Sequence, residues 1–475
     1  MNRTPPPFVS LEGPRAGGAG RPARIAALLG LALLTVAAVT LGYGPMINTG
    51  DWWRICPSGH FVAMGWQPLQ PSYPLSAKGA APSSLLALLV HLGLLLQLAW
   101  GSHVYWTPLI FIALCGIFLG GCFTAAKACR TRADELTLAL VILMGALYGF
   151  YFKSFYQEAT TLALLPWFFG GLLALREGRP GLFVVATCLL LSSKVENVFI
   201  VPVALAVLCL HAYPRKGLWV AASLLGIAVT AGLSFQVQDG SNYRTPNDYN
   251  RYYSGIGWSS MGVAEAPPRS FDAMRSYFYA QMPKSLGKPE SLPARDADLM
   301  GTTYWMTGYE LSVIAAAGTP ADKARFREIV QRGRFAQVLG HFASHPAALP
   351  GYLWSPLVVA TRFDYDLSYI RTDASRPSDG WSWFRAVDEI VLARLGYGLL
   401  GAFAAALLMA ARRRSLPAAL LAGYFFVGAP IFCVLGDGYY EIEKHLSSLW
   451  FFAPVILYLC FVGFDAGGRG ARRRS

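Results

Sequence analysis

The chain has 475 residues, of which 54% are hydrophobic and only 14% are charged, and its formal net charge at pH 7 is +13. This composition excludes an ordinary soluble domain and predicts an integral membrane protein. The positive charge lies in short segments between apolar runs, so it indicates membrane topology and gives no reason to expect a nucleic-acid partner.

Apolar runs recur along the chain, and crossing a bilayer takes about 20 helical residues. They predict an all-α polytopic membrane protein with about ten spans, because only a helix or a closed barrel satisfies its backbone groups in lipid. The fifth run is short for a complete crossing. The predicted spans cover residues 25–43, 107–126, 136–152, 159–175, 181–193, 198–212, 218–235, 390–411, 416–435 and 449–464.

Arginine and lysine residues collect in every second connection between these spans. Short cytoplasmic connections are enriched in these residues, so the pattern places both termini in the cytoplasm. The loops after the first, third, fifth, seventh and ninth spans then face outside. The basic connections carry Arg15, Arg21 and Arg24; Lys127, Arg130 and Arg132; Arg176 and Arg179; Arg215 and Lys216; Arg412, Arg413 and Arg414; and Arg469, Arg472, Arg473 and Arg474.

One further apolar run, residues 84–100, lies between the first and second spans. If it crossed the membrane, every later basic loop would change sides. The sequence therefore predicts a helix that lies along the outer interface. A re-entrant hairpin would preserve the same order of sides, and a complete crossing is the third alternative.

The segment 236–388 is polar and turn-rich at its start, and its charges are mixed in sign. It predicts a mixed, mainly helical outer domain that can bury a small core. A helix should begin at Thr319-Pro320-Ala321-Asp322, where threonine suits the cap and proline the first turn. The predicted organisation is a cytoplasmic tail (1–24), an N-terminal transmembrane module (25–235), the outer domain (236–388), C-terminal transmembrane helices (389–464) and a basic tail (465–475).

Four predicted outer-face segments each join a carboxylate to a cation at the same membrane depth. Ionisable groups at that depth are costly unless they are paired or hydrated, so the segments predict a shared polar cavity open to the outside. The four segments are Asp51 with Trp52, Trp53 and Arg54; residues 151–158, with Lys153, Tyr156 and Glu158; residues 192–197, with Lys194 and Glu196; and residues 436–445, with Glu443, Lys444 and His445.

Such a cavity suits the transfer of a sugar from a lipid phosphate. Asp51, directly after the first span, is the candidate base that takes the proton from an acceptor hydroxyl, and Glu158 is the second catalytic candidate. Cations would hold the phosphate as it leaves, and aromatic rings would stack on the sugar and the lipid head. The candidate phosphate ligands are Lys153, Lys194, Lys444 and His445. The other substrate-binding candidates are Trp52, Trp53, Arg54, Tyr156, Glu196, Asn250, Arg251 and Glu443.

Each candidate also has a structural alternative. Asp51 could cap a helix or pair with Arg54, and Glu158 could be the ion-pair partner of Lys153 or of Lys194. Lys153 and Lys444 could anchor the protein at the lipid interface. The neighbouring Asn250 and Arg251 could line the entrance for the acceptor or lie on the surface of the outer domain.

No cofactor is predicted. Cys115, Cys122 and Cys129 repeat on one face of a helix, a pattern typical of small packing residues. The chain shows no Cys or His spacing of a metal-binding motif, so a divalent metal has no support in the sequence.

Two features resemble the multi-pass GT-C glycosyltransferases, which use polyprenyl-phosphate sugars: the aspartate after the first span and the Ser-x-Tyr-x-Glu segment that opens the fourth. Within that superfamily, the chain resembles a loosely characterised group of bacterial membrane proteins. The paired acidic signature of some relatives is absent after Asp51, where tryptophans follow. The residues that carry the resemblance are Asn48-Thr49-Gly50-Asp51, Phe155-Tyr156-Gln157-Glu158, Asp248-Tyr249-Asn250-Arg251-Tyr252-Tyr253-Ser254-Gly255-Ile256, His345-Pro346, Gly436-Asp437-Gly438 and Glu443-Lys444-His445.

The resemblance implies a GT-C-like transmembrane module, an interfacial helix in the first outer loop and an undecaprenyl-phosphate sugar as donor. It further implies inverting transfer to a glycan, lipid or protein acceptor on the outer face of a bacterial inner membrane. The lipid bilayer, the donor and the acceptor would then be the partners of the protein.

Two other functions stay open. A glycan polymerase or ligase would use much the same cavity with two lipid-linked substrates. A lipid or saccharide transporter would need access from both faces and polar residues at mid-membrane depth, whereas the polar clusters lie at the outer ends of the predicted spans.

Overall fold

The computed structural model describes residues 20–42, 46, 52, 55–62, 69–194, 197–198, 200–211, 214–239, 248, 251, 320–348, 404, 408, 419–420, 423 and 442–462. This part of the chain is mainly helical. Its helices are α1 (Arg21–Gly42), α2 (Leu85–Ala99), α3 (Pro108–Ala128), α4 (Arg132–Leu147), α5 (Glu158–Arg176), α6 (Gly181–Ser193), α7 (Ile200–Leu210), α8 (Lys216–Asp239), α9 (Pro320–Arg332), α10 (Phe335–Ser344) and α11 (Ile442–Phe461).

Within the described residues, three helices are long and apolar enough to cross a membrane, namely α1, α3 and α5. Several shorter apolar helices accompany them, which supports the prediction of a membrane protein. The predicted spans 390–411 and 416–435 lie almost entirely outside the described residues, so the number of about ten spans remains a prediction. α9 begins at Pro320, as its sequence predicts.

One end of the bundle gathers basic side chains from three helices, and we call it the basic end. Arg24 near the start of α1 forms an ion pair with Glu135 in α4 at 3.0 Å. Arg21 donates a hydrogen bond of 2.8 Å to the carbonyl of Lys127 in the last turn of α3. α1 therefore begins at the end of the bundle where α3 stops and α4 starts.

The opposite end carries the first loop, residues 46–107, and we call it the loop end. Here the ammonium of Lys153, just after α4, donates a hydrogen bond of 2.7 Å to the carbonyl of Thr40 near the end of α1. A cation at the C-terminus of a helix is favourable because the helix dipole is negative there. Burial lowers the pKa of Lys153 below its ordinary value.

The first loop contains a two-stranded ribbon, which the all-α prediction did not include. β1 (Ser72–Pro74) and β2 (Val104–Trp106) pair antiparallel, with Pro74 opposite Val104. The ribbon holds together the segments that enter and leave α2. Since α3 also returns to the basic end where α1 starts, α2 does not act as a complete crossing, and the interfacial and re-entrant alternatives both agree with this arrangement.

α2 has one packed side and one exposed side. Ser84 caps its first turn by accepting a hydrogen bond from the amide of Ala87, and His91 Nδ1 lies 3.0 Å from the carbonyl of Ser58 in the loop. The exposed side carries no charge. It presents large apolar residues, with Trp100 exposed by 75%, as expected of a helix at a lipid interface. These residues are Leu88, Leu92, Leu95, Leu96, Leu98 and Trp100.

α5 lies at the centre of the described bundle and is buried along almost its whole length. Two glycines let its neighbours approach closely. A Cβ on Gly171 would lie 2.7 Å from the Cα of Phe183 in α6, and one on Gly170 would lie 3.1 Å from the Cα of Ala125 in α3. Small residues permit such backbone approach between membrane helices, and this contact sets α5 firmly against α6.

At the basic end, the buried carboxylate of Asp134 in α4 joins α4 to α5 and α11. It accepts hydrogen bonds from Arg176 at the end of α5 (2.8 Å) and from the Tyr458 hydroxyl in α11 (2.7 Å). It also completes a capping box with Thr131. Burial alone would raise the pKa of Asp134, but hydrogen bonds from Arg176 and from the amide of Arg130 lower it below its ordinary value.

The predicted outer domain is described only in part. α9 and α10 follow one another with only residues 333 and 334 between them, and Val338 and Phe342 of α10 are buried. Arg251 is buried here: it forms an ion pair of 2.8 Å with Asp248 and donates a hydrogen bond of 3.0 Å to the carbonyl of Gly333 between the two helices. The alternative that Arg251 lies on the surface therefore does not hold in this structure.

The basic pattern predicts that the basic end faces the cytoplasm and the loop end faces outside. In spheroplasts of cells that express a cysteine-free variant, a membrane-impermeant maleimide should label Ala80→Cys in the first loop and leave Arg132→Cys unlabelled. Both positions are exposed, so access to the reagent decides the result. Permeabilised cells should label at both positions as a control. The reverse pattern in intact spheroplasts would contradict the topology and the outer-face site with it.

Candidate functional site

A buried ion pair joins α5 to α6 at the loop end. Glu158 opens α5, and Lys194 follows the last residue of α6 in an extended conformation. The ammonium of Lys194 lies 2.9 Å from Oε1 of Glu158, and the two side chains are only 5% and 2% exposed. Of the two partners that the sequence left open for Glu158, the structure selects Lys194.

Two desolvated charges are costly even when they are paired, because the loss of hydration offsets much of their attraction. Ionisable residues within a membrane bundle are therefore uncommon, and they mark substrate sites more often than they add stability. Packing alone would favour apolar residues at both positions. The pair is for this reason the strongest candidate site in the described part of the chain.

Three further polar side chains surround the pair and are almost fully buried: Thr161 in α5, Ser193 at the end of α6, and Asn197 just beyond it. Asn197 Nδ2 lies 3.0 Å from the Thr161 hydroxyl, 2.9 Å from the Ser193 hydroxyl and 2.8 Å from the Leu190 carbonyl. The carbonyl can only accept, so the nitrogen of the amide must face it. The network thus connects the first turn of α5 to the last turn of α6.

A chain of aromatic rings brings the first loop to this site. Trp52 is fully buried, and its ring centroid lies 5.5 Å from that of Phe155 and 5.8 Å from that of Tyr156, both in edge contact. Tyr156 stands two residues before Glu158. Phe61 continues the chain, because it contacts Phe155 at 5.5 Å. Such contacts are worth about 0.5–1.5 kcal/mol each beyond the area they bury.

The first turn of α11 approaches the same end of the bundle. Its Tyr458 reaches the basic end, whereas its Phe451 contacts Tyr148, which follows α4, at 5.0 Å. Residues 443–445 lie roughly 9–12 Å farther along the helix, at 1.5 Å per residue. The backbone of Glu443, Lys444 and His445 therefore stands at the loop end, as does the Glu158–Lys194 pair.

The structure thus gathers several predicted site residues at the loop end, namely Trp52, Lys153, Tyr156, Glu158 and Lys194. Lys153 contacts the carbonyl of Thr40 and the ring of Phe111. Arg251 lies in the partly described outer segment. Asp51, Trp53, Arg54, Glu196 and Asn250 lie outside the described residues.

Thr161, Ser193 and Asn197 were not among the predicted site residues, although Ser193 and Asn197 belong to the predicted outer-face segment 192–197. A signal was present, since Thr161 follows Glu158 by one helical turn and therefore shares its face. Ser193 and Asn197 flank Lys194 in the same predicted loop. Among the described residues, no group of three or more His, Cys, Asp or Glu side chains is arranged to hold a metal ion.

No family model matches the chain, and comparison with curated proteins and with solved structures finds no match either.

Proposed function

We propose that the protein is a membrane glycosyltransferase that moves a sugar from a polyprenyl-phosphate donor to an acceptor on the outer face of the membrane. The observation that carries this proposal is the buried Glu158–Lys194 pair at the loop end. A pair of opposite charges beside a buried aromatic chain suits a substrate that combines a phosphate, a sugar ring and a lipid.

In the proposed reaction, the acceptor hydroxyl attacks the anomeric carbon of the sugar as the bond from that carbon to the phosphate oxygen breaks. Asp51 takes the hydroxyl proton, because an unassisted hydroxyl is a weak nucleophile. The phosphate leaves as polyprenyl phosphate, and Lys194 stabilises its charge. Trp52 directly follows Asp51 in the sequence and contacts Tyr156, which supports the proposal that the first loop supplies the base.

The test is an assay of purified protein with a panel of polyprenyl-phosphate sugars. Transfer should release one polyprenyl phosphate for each sugar that reaches an acceptor. A polymerase or ligase would instead require two lipid-linked saccharides. A transporter would move the lipid in proteoliposomes and release no polyprenyl phosphate. The absence of release with every donor would refute the proposed function.

Neutralising a true phosphate ligand should weaken donor use roughly tenfold to hundredfold, since a hydrogen bond to a charged group is worth about 1.5–3 kcal/mol. The variants are Lys153→Met, Lys194→Met, Lys444→Met and His445→Gln. Lys127→Met at the basic end is the matched control and should leave donor affinity unchanged. Unchanged donor affinity in all four variants would make these residues interface anchors.

A further inference from the structure

We infer that Asn197 is a positioning residue that holds Lys194 against Glu158 through its hydrogen bonds to Thr161, Ser193 and the Leu190 carbonyl. The described contacts support the positioning of Lys194 by the network around Asn197. Only the consequence for donor binding rests on the proposed function.

The direction of each hydrogen bond follows from the groups involved. The hydroxyl of Ser193 donates to the carbonyl of Leu190 at 2.6 Å, so its oxygen remains an acceptor. The hydroxyl of Thr161, 3.1 Å away, can then donate to Ser193 and accept from Asn197. The resulting chain runs from Asn197 through Thr161 and Ser193 to Leu190. Each bond polarises the next in such a chain, which makes the arrangement stiffer than separate contacts.

This network lies beside the residues that fix the position of Lys194. α6 ends at Ser193, and the amide of Asn197 donates a hydrogen bond of 3.1 Å to the carbonyl of Lys194. Lys194 therefore lies next to two anchored residues, Ser193 and Asn197. On the facing helix, Thr161 lies one turn beyond Glu158, so the contact that joins Asn197 to α5 also fixes the place of Lys194 relative to the carboxylate.

Lys194 bears a long, flexible side chain, and ordering it carries a large entropic cost. The anchored neighbours Ser193 and Asn197 reduce that cost, because they hold the backbone of Lys194 where its ammonium reaches Glu158. Without the side chain of Asn197, the hydroxyls of Thr161 and Ser193 and the carbonyl of Leu190 would lose a hydrogen-bond donor. Lys194 would then leave Glu158 more often and expose its amine.

The first experiment measures the reactivity of the Lys194 amine and does not depend on any assumed reaction. Purified protein is treated with an amine-acylating reagent, and the modification of each lysine is followed over time by mass spectrometry. Lys194 should react slowly in the wild-type protein and roughly fivefold faster in Asn197→Ala, the change expected for one lost hydrogen bond of about 1 kcal/mol. Lys127 at the basic end is the internal reference and should react at an unchanged rate.

Variants of two neighbouring threonines separate positioning from general stability. Thr161→Val removes the hydroxyl that joins the network, whereas Thr160→Val removes one that donates to the carbonyl of Gln157, three residues earlier in the chain. Thr161→Val should raise the reactivity of Lys194, Thr160→Val should not, and Thr161→Ser should restore the wild-type rate. If Asn197→Ala does not fold, the Thr161 variants test the inference in its place.

The second experiment measures transfer with a polyprenyl-phosphate sugar that the wild-type protein accepts. Asn197→Ala and Thr161→Val should raise the KM for the donor about fivefold or more, with Thr161→Ser close to wild type. Unchanged reactivity of Lys194 in both variants would overturn the inference, whatever the transfer rate. Raised reactivity with an unchanged KM would overturn the link to donor binding. If the wild-type protein transfers no sugar, raised reactivity still supports the positioning role and only the proposed function fails.

Discussion

Lys194→Met should lower the free energy of unfolding by about 3–5 kcal/mol, in addition to the roughly tenfold to hundredfold loss of donor use expected of a phosphate ligand. The carboxylate of Glu158, only 2% exposed, would remain in the bundle without its ammonium partner. An unpaired buried charge is among the few causes of so large a loss from one substitution. Chemical unfolding in mixed micelles, followed by intrinsic tryptophan fluorescence, measures the change.

The double variant Glu158→Leu with Lys194→Met separates stability from function. It removes both charges, and apolar replacement of a buried pair is often neutral or stabilising, so it should recover most of the lost stability. If the pair serves the reaction, the stable double variant should still use the donor roughly tenfold to hundredfold less well than the wild type. A double variant that is stable and has wild-type donor use would make the pair structural.

A surface pair supplies the matched control for these variants. Glu177 binds Arg130 at the basic end, where the two side chains are 25% and 43% exposed. Exposed pairs typically contribute about 0–1 kcal/mol, so Glu177→Gln should change stability little and leave transfer intact. A loss of several kcal/mol in this variant would mean that the assay does not distinguish buried pairs from exposed ones.

Asp51→Asn should slow sugar transfer by ~10²–10⁴-fold while the protein still folds and still binds the donor. The amide has the shape of the carboxylate but cannot take up the proton of the acceptor hydroxyl. Rates with a saturating donor, together with donor affinity measured at equilibrium, separate the chemical step from binding. Asp51→Glu keeps a carboxylate and is the conservative control that should retain more of the activity.

A structural role for Asp51 predicts a different result. The loss of a helix cap costs about 1 kcal/mol of stability and has little effect on rate. Near-normal turnover with a lowered melting temperature would therefore contradict the assignment of Asp51 as the base. The role would pass to Glu158 or Glu196. Glu158 is then the less suitable of the two, because its Oε1 is already held by Lys194.

The sequence predicted the helical elements well because their causes are local. Apolar runs of membrane length require a helix wherever lipid excludes water, and α5 (Glu158–Arg176) matches the predicted span 159–175 to within one residue at each end. The start of α9 at Pro320 follows from a capping pattern of a few neighbouring residues. The ribbon of β1 and β2 was missed, since its strands are short and about 30 residues of other structure separate them.

The sequence by itself determined that polar groups collect near the ends of helices, but only the tertiary structure decided which of them meet. Lys153 is nearer to Glu158 in the chain, yet Lys194 is its partner. The pairing depends on the rotation and depth of α5 against α6, which glycines far from the pair set through close backbone packing. The hydrogen bonds of Asn197 likewise depend on how α5 packs against α6. Its partners lie on these two helices, and no local pattern specifies the distance between helix ends.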